Sequence, residues 1–411
     1  MITISKEESF YTRAIFFLFG VGVMMIAPRT PDIKANLHVN NGTLGTLFSI
    51  GTIGSFVALI YMGQIVQRFG TRNVLIFAST WLYAAMFVQP HIHSTWLFAL
   101  DQIAAAMGWA GYHITINTFS LHRQKLSGIP ILPKLHGTWS AGALITAVIA
   151  VGITSHITLA WHIDVGISII WAITMYSIFK LRHVMIPGTR EPGDSETKAS
   201  VKSIKIFLQE EWIILIGCTI GIMLEVGTND WATLYTKEDI GVSASLSILP
   251  YISFGLGMIL GRLNLHIVYR YFTERFLIRY SAIFGGVTFI VLIQFASHFA
   301  KSNPHLGLVL AFLAFFLGGI GSAFISPMFT TIATRKSRFP AGFVVAQMAL
   351  FNTSIFFFTK IIISWIAQST SITTALMVPG ILLLVTSLFA KLGSEKLSVK
   401  RWPDCCKRRN P

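Results

Sequence analysis

The chain of 411 residues is rich in apolar side chains and poor in charge: 53% of its residues are hydrophobic, 13% aromatic and 12% charged. This composition excludes a soluble globular domain. The formal net charge of +15 would suggest a nucleic-acid partner in a soluble protein. In a membrane protein it indicates sidedness and attraction to anionic lipid, so no nucleic acid is expected.

Apolar runs divide the chain into candidate membrane spans. A spanning helix needs about 20 apolar residues, and continuous runs of that length favour helices over the alternating segments of a barrel. The first run, from Ala14, lacks a small-residue cleavage site before Arg29 and is interpreted as a retained span. We predict an all-α integral membrane protein with twelve spans: 13–36, 43–62, 73–90, 96–119, 131–155, 162–181, 212–236, 243–262, 277–298, 305–333, 341–366 and 372–392.

The distribution of Lys and Arg predicts the orientation, because cytoplasmic loops carry the positive excess. With the amino terminus inside, five of the 32 basic residues fall in or near the outer halves of the spans: Arg29, Lys34, Lys237, Lys301 and Lys360. We therefore predict a multi-pass protein of the cell membrane with both termini cytoplasmic. The basic tail, 393–411, either lies on the inner membrane surface or is solvated, and it receives no function.

Cysteine and glycine patterns indicate no cofactor. Cys218 falls within a span, and Cys405 and Cys406 fall in the inner tail, where a structural disulfide is not expected. The sequence has no metal-ligand spacing and no phosphate-binding glycine loop. We predict no metal, no cofactor and no use of ATP.

A polar linker, 182–211, separates two groups of six spans, 13–181 and 212–392. The two groups repeat faintly at an offset of 198 positions. The repeated residues run in order from the first span of each half into the next loop: Thr30 with Thr228, Asp32 with Asp230, Ser49 with Ser247, Gly63 with Gly261, and Arg72 with Arg270. The repeat predicts an N-terminal and a C-terminal six-helix bundle.

Polar side chains inside the spans are candidate site residues. Glu225 and Asp230 lie in the seventh span, where a charged group costs at least ~2.5 kcal/mol unless it faces water or a partner. In the fourth span His113 and Asn117 stand four residues apart on one face, with Trp109 on the preceding turn. This face predicts either a cavity lining or a buried histidine bonded to a neighbouring helix.

Three local motifs carry a resemblance to a known family. The first is the Gly63, Arg68, Gly70 and Arg72 pattern after the second span. The second is Asn117 followed by His136-Gly-Thr-Trp139-Ser-Ala-Gly142, and the third runs from Glu225 to Tyr235. Together with the span count, they resemble the major facilitator superfamily over 13 to about 392, and within it the bacterial fucose-permease-like and related inner-membrane permeases.

This resemblance implies two pseudo-symmetric bundles around a central substrate site, and secondary transport by alternating access. It implies a sugar or similar small organic solute, coupling to protons, and a monomer in the lipid bilayer. It also implies a gating role for the Gly63, Arg68, Gly70 and Arg72 motif. Where relatives have acidic residues this chain has Gln67 and Gln124, so gating by ion pairs between helices should be weaker or replaced.

Arg29 and Glu225 stand at similar depths, roughly 20 to 24 Å from the inner surface at ~1.5 Å per residue. In the resembled fold their helices both border the cavity. We therefore expect Arg29 to face Glu225 or the substrate, with snorkelling of Arg29 to the outer interface as the alternative. Glu225 is expected to carry a proton or to hydrogen-bond the substrate.

Other polar residues receive roles with open alternatives. Asp32 and Asp230 come late in their spans, and each either caps a broken helix end or forms an outer gate; Asp230 is also a candidate for proton coupling. His136 serves gating or close helix contact, because small residues follow it. The further substrate-binding candidates are Trp139, Asn229, Gln347 and Asn352.

Two other functions remain open at this point. The same fold could export amphipathic compounds, which the many Phe residues and the basic balance would suit. A polytopic membrane enzyme could use His113 or His136 as a base, although the sequence shows no nucleophile for it. The prediction is therefore a transporter, not an enzyme, with a small solute, the bilayer and protons as partners.

Overall fold

A computed structural model describes residues 4–128, 131–188, 212–337 and 341–394, and its regular elements there are all helical. The predicted linker from residue 189 to 211 and the tail from residue 395 lie outside the described residues, as do Cys405 and Cys406. The predictions made for those segments therefore stay predictions.

The described helices follow the order of the predicted spans, and we number them accordingly. Short helical segments also lie between or after them, among them Leu265–Tyr271 after the eighth and Ser387–Leu392 after the twelfth. The bounds are α1 (Lys6–Val23, continued by Thr30–Leu37), α2 and α3 (both within Asn41–Val88), α4 (Thr95–Ser127), α5 (Leu132–Ile153), α6 (Leu159–Lys180), α7 (Trp212–Gly221, continued by Met223–Tyr235), α8 (Leu249–Leu263), α9 (Glu274–Ala300), α10 (Pro304–Ser322, continued by Ile325–Lys336), α11 (Ala341–Ser369) and α12 (Ile372–Thr386).

The helices account for the predicted membrane spans. Among the described residues, ten helices are long and apolar enough to cross a bilayer. One of them, Asn41–His91, contains both α2 and α3. The two helices meet at a kink at Gly70, where φ is 79°. The polar α4 is not among the ten, although its 33 residues are long enough to span. The predicted all-α membrane fold is confirmed.

The segment after the second span differs from its prediction. We expected a loop between 62 and 73, but the chain stays helical on both sides of Gly70. At Gly70 a Cβ would lie 2.6 Å from the Gly188 nitrogen, and the positive φ is unfavourable for other residues. Glycine is therefore required here by the turn and by the close approach of residues 186–188.

The molecule has two ends. The linker face holds the start of α1, the turn at Gly70 and residues 182–188, where the Thr71 amide donates to the Ile186 carbonyl at 2.9 Å. The far face holds the opposite helix ends, where the Asn36 side chain donates to the Pro90 carbonyl at 2.9 Å. The predicted orientation would place the linker face in the cytoplasm.

Each group of six helices packs mainly within itself. In the first, α1 packs on α5 and α6, while α2 and α3 pack on α4. In the second, α9 packs on α10 and α12, and α8 packs on α10. Between the groups, α2 runs along α11 and α5 contacts α8. These contacts agree with a division into two bundles. The boundaries given above for the two bundles remain a prediction.

The contacts between the two groups are closest toward the far face. There a Cβ on Gly45 would lie within 2.2 Å of the Ser364 Cβ, so α2 and α11 approach closely. The Ser49 hydroxyl donates to the Phe357 carbonyl at 2.5 Å. Toward the linker face His136 is exposed, and a Cβ on Gly137 would meet nothing within 4 Å. The interface is therefore looser at the linker face.

Candidate functional site

A cavity of about 320 Å³ lies between the two groups of helices. Helices α1 to α4 form its wall on one side, and α7 and α11 contribute from the other. Its volume is in the range of small-molecule sites in proteins, roughly 300 to 1,000 Å³. The side chains with hydrogen-bonding groups on its wall are Thr30, Thr52, Ser55, Gln89, Gln102, Trp109, Asn229, Asp230 and Lys360.

An ion pair lies in the cavity wall. The Lys360 ammonium of α11 is 2.8 Å from one carboxylate oxygen of Asp230 on α7 and donates to the other at 3.2 Å. Both side chains are less than a fifth exposed. Helix α7 is continuous through Asp230, so the alternative in which this residue caps a broken helix end is wrong. The cavity instead contains a paired carboxylate and ammonium.

Lys360 was missed as a site residue. It falls within the predicted span 341–366, where the rule that singled out Glu225 and Asp230 applies equally to a cation. We counted it only as a marker of orientation. The signal was therefore present in the sequence, but its pairing with Asp230 needed the arrangement of α7 and α11.

Glu225 has a partner in its own group of helices. The Arg262 guanidinium of α8 donates to Glu225 Oε2 at 3.3 Å, and the two side chains are 40% and 36% exposed. Glu225 precedes Asn229 by about one turn, on the linker-face side of the cavity. It is not part of the cavity wall in this conformation.

Arg29 contacts partners other than Glu225. Its guanidinium donates to the carbonyls of Thr154 and Ile157 at 3.0 and 2.8 Å, and its Nε lies 3.1 Å from the Asp32 carboxylate. The residue is 1% exposed. The expectations that Arg29 faces Glu225 and that it snorkels to the interface were wrong, and contact of Arg29 with the substrate stays a prediction. Arg29 instead satisfies carbonyls at the end of α5.

Replacing Arg29 with Met should destabilise the protein. The change removes two hydrogen bonds from a charged donor and leaves the Asp32 carboxylate with a weaker partner, so the free energy of unfolding should fall by about 3 kcal/mol. Thermal unfolding in detergent would measure this. Lys301→Met, at an exposed position, is the control and should unfold like wild type. Equal melting temperatures for the two variants would contradict the capping role.

Two histidines support the aromatic part of the wall. The rings of Trp109 and His113 stack in parallel at 5.4 Å, and His136 of α5 lies 6.2 Å from His113. Phe16 of α1 contacts His136 edge to face at 5.7 Å. Trp109 lines the cavity, whereas neither histidine forms part of its wall. The structure thus brings together the fourth-span and fifth-span candidates.

Four more predicted binding residues lie outside the cavity wall, in addition to Arg29, His113 and Glu225. Asn117 donates to the His113 carbonyl of its own helix at 2.8 Å, and Asn352 accepts from the Thr219 hydroxyl at 2.6 Å, which links α11 to α7. Buried polar atoms of Asn117, Trp139 and Gln347 have no hydrogen-bond partner among the described residues. Substrate binding by these residues in another conformation remains a proposal.

The predicted gating motif at the linker face is only partly explained. Arg68 lies over the Phe69 ring at 5.3 Å, and a Cβ on Gly63 would meet nothing within 4 Å. Arg72 is exposed. The structure shows no reason for glycine at position 63, and the gating roles of these residues remain proposals.

Other ion pairs occupy this face. Arg123 at the end of α4 binds both carboxylate oxygens of Glu8, at 2.5 and 2.7 Å, and both residues are buried. Arg335 binds Glu274 in the same two-pronged way in the second group of helices. Gln124 accepts from the Ile131 and Leu132 amides at the start of α5. Sequence analysis missed both ion pairs.

Polar contacts join the two groups of helices at the far face. Lys34 is 2.6 Å from Glu238, and Lys237 is 3.9 Å from Asp32. Asn41 donates to the second Glu238 oxygen at 3.3 Å. Asp32 is thus placed where an outer gate was predicted, although it also lies in the first turn of the helix Thr30–Leu37. Both alternatives for Asp32 are compatible with this position.

Comparison with known proteins identifies relatives along most of the chain. The sequence profile of the Major Facilitator Superfamily matches residues 14–360. An uncharacterised MFS-type transporter of Yersinia pestis is 26% identical over 400 residues, covering 94% of this chain and 96% of the relative. An uncharacterised transporter of Sinorhizobium fredii is 23% identical and covers 91% of this chain and 95% of its own.

Solved structures share the arrangement of helices. A crystal structure of a mutant of the nucleoside transporter NupG superimposes with a TM-score of 0.75 over 93% of this chain and 98% of its own, at 14% identity. A D-xylose–proton symporter superimposes with a TM-score of 0.68 over 94% of this chain and 97% of its own, also at 14% identity. At this identity the likeness concerns the fold.

Proposed function

The chain belongs to the Major Facilitator Superfamily and is a membrane transporter rather than an enzyme, and on that premise we propose that it moves a small polar organic solute by alternating access. The observation that carries the proposal is the 320 Å³ cavity between the two groups of helices. It is bordered by both groups, as a site must be if rocking of one against the other is to change its exposure.

The chemistry of the wall favours a hydroxylated solute such as a sugar. Amides and hydroxyls surround the Asp230–Lys360 pair, so the wall offers both donors and acceptors with balanced charge. Trp109 supplies a flat apolar surface held by His113. The structural relatives named as a nucleoside transporter and a D-xylose–proton symporter support a solute of this general kind.

The far-face contacts supply the gate of the proposed cycle. In the present conformation Lys34 and Lys237 bind carboxylates across the interface, which favours exposure of the cavity toward the linker face. Opening the far face requires these contacts to break, while helices at the linker face close. We propose that the linker face is cytoplasmic, that the protein resides in the cell membrane and that it acts as a monomer.

We propose coupling to protons through Glu225 and Asp230. Each carboxylate has a basic partner within its own group of helices, Arg262 and Lys360 respectively. A proton on the carboxylate would release the basic side chain, and loss of the proton would restore the pair. Proton occupancy could thereby alternate with solute contacts during the cycle.

A liposome assay tests the transport proposal. Purified protein is reconstituted with a pH-sensitive dye inside and challenged with sugars, nucleosides and cationic amphiphiles. We expect a sugar or a similar hydroxylated solute to drive proton entry in wild type, and Glu225→Gln to abolish it. Glu7→Gln is the control, because the Glu7 side chain is largely exposed at the linker face.

Each other outcome has a distinct meaning. Proton entry that persists in Glu225→Gln would move the coupling to another carboxylate. Solute flux without a proton signal would make the protein a facilitator and leave Glu225 as a binding group. A response to the cationic amphiphiles alone would favour export of amphipathic compounds and overturn the hydroxylated substrate.

A further inference from the structure

A third carboxylate lies beside the cavity and has no assigned role. Asp101 stands two turns into α4 from the far face. The Gln89 side chain, in the turn that follows α3, donates a hydrogen bond to the Asp101 carboxylate. Gln89 is 4% exposed and forms part of the cavity wall, next to Gln102. Asp101 therefore lies one side chain away from the proposed substrate.

Two oxygens at this position lack donors. Asp101 Oδ2 and Gln89 Oε1 are both buried, and neither has a hydrogen-bond partner among the described residues. An ionised carboxylate and an amide oxygen can only accept hydrogen bonds. A buried acceptor without a donor is destabilising, so this pair of side chains requires a hydrogen that the surrounding protein does not provide.

Asp101 also lacks a counter-charge. In the described part of the chain no Lys, Arg or His forms a salt bridge with it, in contrast to Asp230 and Glu225. Several charged groups toward the far face are paired with one another: Arg29 with Asp32, His91 with Asp164, and Lys360 with Asp230. An unpaired ionised carboxylate at membrane depth is costly.

We propose that Asp101 holds a proton and donates it to the amide oxygen of Gln89, which makes this pair a proton site separate from the ion-paired carboxylates. Water in the cavity supplies the proton: hydronium transfers it to the carboxylate and becomes water. One proton then satisfies both buried oxygens and removes the uncompensated charge.

The position of Gln89 connects this proton to the solute. A solute in the cavity would contact the Gln89 side chain, and a displacement of that side chain would change the hydrogen bond between Gln89 and Asp101. Because the same side chain borders both the solute and the proton, binding of the solute and binding of the proton at Asp101 are linked in free energy. This step rests on the proposed transport function and deepens it, whereas the protonated pair itself can be tested without transport.

Infrared spectroscopy of the purified protein tests the pair directly. A protonated carboxyl group has a C=O stretching band distinct from that of a carboxylate. We expect wild type at neutral pH to show such a band, and Asp101→Asn to lose it. Asp164→Asn, which removes a far-face carboxylate paired with His91, is the matched control and should retain it.

The Gln89→Leu variant tests whether the proton on Asp101 is hydrogen-bonded to Gln89 or is only buried. Loss of the acceptor should shift the Asp101 band to higher frequency without removing it. Asp101→Asn should melt at or above the wild-type temperature, because the amide resembles the neutral acid. A carboxyl band that survives Asp101→Asn, or is unmoved in Gln89→Leu, would overturn the proposal. Absence of solute transport in liposomes would leave these bands unaffected, so the two failures are distinguishable.

Discussion

Asp230→Asn and Lys360→Gln should each abolish solute transport and lower stability, whereas the double variant should recover stability alone. Breaking a buried ion pair by removing one partner leaves the other charge uncompensated, at a cost of about 3 to 5 kcal/mol when burial is complete. Here both side chains are slightly exposed, so we expect about 2 to 3 kcal/mol for each single variant.

Removing both charges eliminates the uncompensated ion, and the melting temperature of the double variant should return toward that of wild type. Transport should stay lost, because the charged groups that face the cavity are absent. Thermal unfolding and liposome uptake measure the two effects separately. Single variants that melt like wild type would show that the pair is not stabilising. Transport by the double variant would place the substrate site elsewhere.

A side chain added at Gly45 should hold the far face open. A Cβ at this position would lie 2.2 Å from the Ser364 Cβ and 3.1 Å from the Trp231 ring, so α2 and α11 could not close as they do here. We expect Gly45→Ala to reduce transport by at least about tenfold, equivalent to about 1.4 kcal/mol between the two conformations. The same addition at Gly255, with no atom within 4 Å, should have no effect.

Two measurements identify the cause of the Gly45 effect. Ser49→Cys places a thiol between α2 and α11, where the residue is buried. A membrane-impermeant maleimide should therefore label this thiol faster when Gly45→Ala is also present. Ser364→Gly removes the atoms that a Cβ at position 45 would meet most closely and should restore transport. Unchanged labelling together with lost transport would assign the effect to local misfolding instead.

Much of the fold could be predicted from the sequence. In a bilayer every backbone polar group must be satisfied internally, so long apolar runs become helices whatever their neighbours are. The spans and the resemblance carried by three motifs therefore predicted the fold class and the transporter family, which the family profile and the described helices confirm. The segment around Gly70 was less predictable, because helix continued on both sides of the turn.

The candidate site was only partly predictable. Trp109 and Asn229 were predicted to bind the substrate and line the cavity, and Asp230, predicted as a cap, an outer gate or a proton carrier, lies there too. Depth along a span was a poor guide for Arg29 and Glu225, which stand at similar depths but bind different partners. Similar depth leaves undecided which way a side chain points, because helix rotation and tilt are set by packing.

The sequence by itself determined that this chain is an all-helical membrane transporter, since lipid limits the backbone to helices and charged residues stand out in apolar spans. The tertiary structure alone decided which of those charges are paired. Lys360 reaches Asp230, Arg262 reaches Glu225 and Arg29 reaches the end of α5, each from another helix. Whether a buried carboxylate is compensated depends on such neighbours, and Asp101 differs from the others for that reason.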